Sequence, residues 1–132
     1  GVAQEVSLMT NLPIINLQTQ LNAMHTQLNA IQTTFDRFNI ILDRMNTMLQ
    51  ALDMRSFARA LNSRVNDPTA DIQPLPNLQN QTPNTFPDNI SQLHGLTGAS
   101  INTLLSFYGL PSHGRLEERR KILAQYIGIK LL

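Results

Sequence analysis

Large apolar residues recur at alternating spacings of three and four from Ile14 to Leu52, with no break. They are Ile14, Leu17, Leu21, Met24, Leu28, Ile31, Phe35, Phe38, Leu42, Met45, Leu49 and Leu52. The repeat is visible in the letters LNAMHTQ, LNAIQTT, FDRFNII and LDRMNTM. A straight helix turns once every 3.6 residues, so a strict 3.5 period keeps one seam facing a neighbour only if helices supercoil. Such a chain is expected to pair with other copies of itself. The heptad run alone would span roughly 60 Å, too long for a helix inside one compact domain of this size.

With Ile14 at position a, the a set is Ile14, Leu21, Leu28, Phe35, Leu42 and Leu49. The d set is Leu17, Met24, Ile31, Phe38, Met45 and Leu52. Leu at a with Ile or Met at d points away from two strands and towards three or four. Phe35 and Phe38 ask for a wide core. Ile41 and Met48 at g, with Ile40 and Met54 at f, broaden the apolar stripe in the second half. A tetramer is the first expectation and a trimer the second. The e and g positions hold mostly Gln, Thr, Asn and His, so charge pairing does not set the partner or the orientation. A parallel four-stranded coil is the working expectation. The broadened stripe at 40–54 is where the C-terminal part is expected to dock.

The fold class that follows is all-α, in four segments. Residues 1–12 form a lead, with Asn11 as N-cap and Pro13 in the first turn. Residues 13–66 form the coiled-coil oligomerisation helix, stopped by Asn-Asp-Pro at 66–68. Residues 67–87 carry five prolines and are expected as an extended, Pro-rich strap, held by Leu75, Leu78 and Phe86. Residues 88–132 form a small helical module. Its helices are expected near Asp88–His94, Gly98–Tyr108 (capped by Thr97) and Arg115–Ile127, with Gly95, Gly109 and Gly128 as stops. Leu104, Leu105, Tyr108, Leu110, Leu116, Ile122, Leu123, Tyr126 and Ile127 are its expected core. Some forty-five residues make a marginal core, so the module is expected to lean on the strap, the long helix or a second copy.

Composition narrows the function classes. The 132 residues carry a net charge of +1, which exerts no global pull on nucleic acid or anionic membrane. No cysteine is present, so there is no disulfide frame and no thiol nucleophile. That fits an intracellular, reducing compartment such as cytoplasm or nucleus. No stretch approaches the length of a membrane span, and no signal peptide is evident. The chain opens on Gly, as an expressed fragment with a cleavage scar would. His25, His94 and His113 lie far apart, with no carboxylate at metal-ligand spacing. No P-loop, GxGxxG, HExxH or GxSxG occurs. No enzyme activity, cofactor, metal or small-molecule substrate is expected.

Two basic clusters remain. Arg55, Arg59 and Arg64 lie in an acid-free stretch, and Arg115, Arg119, Arg120 and Lys121 crowd the last helix. Repeated in an oligomer, such patches suit phosphate backbones through counterion release. The plainer reading is a solvated face with Glu117 and Lys121 as an i,i+4 pair.

Residues Leu96 to Gly128, through Leu104, Leu105, Gly109, Leu110, Pro111, Gly114 and the basic helix that follows, resemble a SAP motif. That is a helix–extended–helix module associated with DNA and RNA binding. Arg119 stands where that family usually has an apolar core residue. The resemblance implies nucleic-acid contact by Arg115, Arg119, Arg120 and Lys121. The whole layout is also similar to a group of uncharacterised fungal proteins, through Ala58–Arg64, Pro74–Pro87 and Tyr108–Gly128. The expected function is a non-enzymatic oligomerising scaffold. A nucleic-acid-binding adaptor is the alternative, and a secreted or host-directed effector the third.

Overall fold

The computed structural model describes residues 2–131, with side chains placed from residue 12 onward. The chain is mainly helical: α1 spans Val2–Ser63, α2 Ile90–Gly95, α3 Gly98–Phe107 and α4 Leu116–Ile127. The chain divides into two units, residues 1–43 and residues 44–132.

The expected lead is replaced by helix. α1 starts at Val2 and carries Pro13 inside it, so Asn11 is not a cap. Residues 2–12 contain neither Gly nor Pro and include the helix formers Ala3, Gln4, Glu5, Leu8 and Met9. Their propensity carries the helix across Pro13, which forfeits one i→i−4 bond. At the other end α1 stops three residues earlier than Asn66. The N–H groups of Arg64 and Val65 donate to the carbonyls of Leu61 and Asn62 at 3.2 Å, a tightened last turn. Asp67 then accepts from the Thr69 N–H at 2.9 Å and hydroxyl at 2.8 Å. That local turn competes with further helix.

Residues 64–89 connect α1 to α2. The Ile72 N–H donates to the Asp88 carbonyl at 2.9 Å, and Asp71 forms an isolated antiparallel bridge with Asn89. Ile72 and Leu75 are buried and Phe86 packs against the core, whereas Leu78 stays exposed. Asn89 caps α2 by accepting from the Gln92 N–H at 2.8 Å, and Thr97 caps α3 by accepting from the Ser100 N–H at 3.2 Å. α3 and α4 end on Gly109 and Gly128, both at positive φ. α4 packs on α3 and α2.

The core of this unit joins Ile72 and Leu75 to Leu93, Ile101, Leu104, Leu105, Tyr108, Leu123, Ala124, Ile127 and Ile129, with Ala58 of α1. Of the expected core, Leu104, Leu105, Tyr108, Leu123 and Ile127 are buried, and Leu110, Leu116, Ile122 and Tyr126 are half-buried. The module therefore leans on both the connecting segment and α1.

Gly128 matters most among the turns. Its φ is +88°, and a Cβ there would lie 2.9 Å from the Arg59 carbonyl oxygen and 3.1 Å from the Arg59 Cα. The left-handed conformation and the overlap with backbone both oppose a side chain. Gly128→Ala is expected to lower stability by about 3 kcal/mol in urea denaturation. Gly95→Ala, where a Cβ would meet nothing within 4 Å, is the near-neutral control.

Tyr108 sits at the centre of the core. Its hydroxyl donates to the Leu75 carbonyl at 2.7 Å, and its ring lies 5.1 Å from that of Tyr126. Burial pushes the phenol up from 10.0 to about 12. The neutral form is thus favoured in the folded chain. Its contribution is complete below pH 10 and is lost as pH rises from 10 towards 12. Ultraviolet titration should show a tyrosine ionising near pH 12 that Tyr108→Phe removes.

Candidate functional site

The seam residues are all solvent-exposed in the single chain. Within residues 12–43, exposure runs from 45% at Leu42 to 62% at Leu21 and Ile31. Within residues 44–63, Met45 is 53%, Leu49 61% and Leu52 45% exposed. Isolated apolar side chains on a surface are ordinary, but a row of them at 3.5-residue spacing on one helix is not. A recess of 360 Å³ opens among Ala30, Ile31, Thr34, Phe35 and Phe38. Four of these stand at i, i+3, i+4 and i+7, the spacing of a hole that receives one side chain of a facing helix.

Within residues 44–63 the connecting segment and module reach the broadened part of α1 only at its margin, where Met54 shares a pocket with Gln73, Pro74 and Pro76, and they leave Met45, Leu49 and Leu52 uncovered. The module lies on another face of α1, marked by Thr47, Ala51, Arg55, Ala58 and Asn62, all buried or half-buried. At about 100° per residue this face points roughly 130° away from Met45, Leu49 and Leu52. The reason is close approach. Ala51 and Ala58 leave room for backbone to come near, which Leu49 and Leu52 do not. Polar side chains complete the seat.

Asn62 is 1% exposed. Its amide donates to the Gln73 carbonyl at 2.9 Å and the Ile127 carbonyl at 2.8 Å, and its oxygen accepts from the Gln73 N–H at 2.7 Å. One side chain thereby ties α1 to the connecting segment and to the end of α4. Arg59 donates through Nε to the Tyr126 carbonyl at 2.7 Å, with its guanidinium 4.7 Å from the Tyr126 ring centre. The Arg55 guanidinium lies 4.9 Å from the same centre, and Arg55 is buried. Desolvation, then the Arg59 charge, lowers the Arg55 pKa. Stacking on the ring's negative face partly offsets that cost. These two arginines hold the module rather than present a free basic patch.

The four basic residues of the last helix separate into two kinds. Arg119 is half-buried, and its Nη1 donates to the Gly98 carbonyl at 3.4 Å and to Asn102 Oδ1. Arg120 is half-buried and donates through Nη2 to the Leu96 carbonyl at 3.2 Å. Arg119 fastens α4 to the start of α3, and Arg120 fastens it to the α2–α3 junction. Arg115, the N-cap residue of α4, and Lys121 are exposed. A second cavity of 470 Å³ lies between residues 81–85 and α3, lined by Thr, Asn, Gln, Pro, Leu104 and Phe107 without any charged side chain. Among the described residues, no group of three or more His, Asp or Glu is placed to hold a metal ion. No described helix is long and apolar enough to cross a membrane.

Residues 40–126 match the family model described as "Protein of unknown function (DUF3294)". The chain belongs to this family. The DUF3294 match takes in the docking end of α1, the connecting segment and nearly all of the module, and it leaves out eight of the twelve heptad residues, Ile14 to Phe38. Comparison with curated proteins and with solved structures finds no match.

Asn62 and the Ala51–Ala58 face carry no apolar or charge signal in the letters, and Arg55 reads there as part of a basic cluster. One signal was available. Ala51 and Ala58 are seven apart, and Arg55 and Asn62 are seven apart, so a second, small and polar stripe runs beside the apolar one.

Proposed function

We propose that the protein is a non-enzymatic scaffold that assembles copies of itself through the α1 seam, four-stranded first and three-stranded second. The supporting observation is the exposure of Ile14 through Leu52 together with the module's seat on a different face. Within residues 44–132 the module satisfies its own core without covering Met45, Leu49 and Leu52, which leaves them free for other chains. In this reading the Pro-rich segment is a strap that fastens the module to α1. Assembly then displays several modules on one coil and raises their combined avidity for whatever they bind.

Self-assembly makes helix stability depend on concentration. Over a roughly 100-fold range of protein concentration, the melting midpoint of the helical signal should rise steadily. A midpoint that does not move sinks the reading.

A second reading, a nucleic-acid-binding adaptor with SAP-like modules, draws on the exposed pair Arg115 and Lys121. The inward-facing Arg119 and Arg120 weigh against it. Binding to DNA or RNA at about 50 mM salt, where phosphate contacts are strong, should be lost in Arg115→Gln/Lys121→Gln if this reading holds. No binding by the unmodified chain at that salt removes it.

A further inference from the structure

We propose that the nearest copy on the seam lies antiparallel, in the register that sets Ile14 opposite Leu52. This rests on the self-assembly reading and specifies its geometry. In antiparallel coils an a residue of one helix shares a layer with a d residue of the other. The a and d positions from Ile14 to Leu52 allow one such register with full overlap, centred on Thr33.

That register evens out the layers. Both phenylalanines fall in the second half of the run. Antiparallel, Phe35 meets Ile31 and Phe38 meets Leu28, so every layer combines one residue from each half. Parallel, Phe35 stacks on Phe35 and Phe38 on Phe38, two oversized layers between the smaller layers of Ile31 and Leu42. A well-packed core tolerates neither the excess volume nor the gaps beside it. The recess among Ile31, Thr34, Phe35 and Phe38 lies at the centre of the antiparallel register, where the second copy supplies Ile31.

The flanks agree. Antiparallel pairing sets g beside g, so Met48 lies along Gln20 and Ile41 along Gln27, whose methylene stems cover them. Parallel pairing sets g beside the next e, placing Met48 against the carboxylate of Asp53. Antiparallel pairing also keeps the acid-free stretch with Arg55, Arg59 and Arg64 of neighbouring copies at opposite ends. Parallel pairing gathers these like charges together.

The chain has no cysteine, so crosslinking can be read without background. Leu17→Cys and Leu49→Cys variants of the full chain, one carrying a mass tag, are mixed and oxidised under thiol–disulfide exchange. The expected result is a dominant 17–49 heterodisulfide, with each variant alone staying largely reduced. Dominant 17–17 and 49–49 disulfides would overturn the orientation and leave self-assembly standing. Light scattering of the same reduced samples separates the other failure: monomers that crosslink no faster than a Gln50→Cys control would overturn self-assembly and this inference with it.

Discussion

Asn62→Ala is expected to cost about 2 to 4 kcal/mol of the stability of residues 44–132. The side chain makes three hydrogen bonds at 2.7–2.9 Å and is 1% exposed. Truncation leaves the Gln73 N–H and the Gln73 and Ile127 carbonyls without those partners. The buried Ile127 carbonyl left unpaired costs on the order of 1–3 kcal/mol, and the Gln73 groups, at an exposed residue, cost less because water reaches them. Against a total stability of about 5–15 kcal/mol, such a loss is a large fraction of what holds the chain folded. Asn62→Asp sharpens the test. Its carboxylate still accepts from the Gln73 N–H but faces two carbonyls in place of donating to them. It should be at least as harmful as Asn62→Ala, and more harmful as pH rises and the carboxyl ionises. Urea denaturation followed by tyrosine fluorescence measures both. A loss below about 1 kcal/mol would show that the side chain is not the tie between α1, the connecting segment and α4.

Leu28→Asp is expected to leave the module intact and abolish assembly. Leu28 is 60% exposed in the single chain and lies in the unit of residues 1–43, so the core formed by Ala58 to Ile129 does not depend on it. In a four-stranded coil the same position is interior. Each copy would bring a carboxylate into the apolar interior, and an unpaired charge in such a place costs several kcal/mol. The association constant should fall by at least about 100-fold, since every 1.4 kcal/mol is a factor of ten. The near-ultraviolet spectrum of Tyr108 and Tyr126 should not change. Leu28→Ile preserves the apolar layer and should assemble. Loss of assembly together with loss of the tyrosine signal would show that the substitution had acted on the fold.

The parts of this fold that follow local rules were legible in the letters. Thr97 caps α3, Gly95 ends α2, and Gly109 and Gly128 terminate α3 and α4 because only local geometry decides such positions. The start of α1 was not legible, because Pro13 invites a first-turn reading while the helix-forming residues before it extend the helix through. Nor was the seat of the module. The added apolar residues Ile40, Ile41, Met48 and Met54 point to the second half of the run, yet the buried seat there is made by Ala51, Arg55, Ala58 and Asn62. Small side chains permit close approach, and Asn62 finds partners 11 and 65 residues along the chain. Hydropathy carries no record of such pairings. The basic helix shows the same limit. Arg119 and Arg120 read as a phosphate-facing cluster, but carbonyls at Gly98 and Leu96 draw them inward.

If the Ile14–Leu52 seam is covered by other copies of this chain, the mass in solution must be a multiple of one chain's. Sedimentation equilibrium of the intact chain at micromolar concentration tests it most directly. The expected mass is near four times the 14.8 kDa of one chain, or three times for a three-stranded coil. A single species at 14.8 kDa across that range would contradict it.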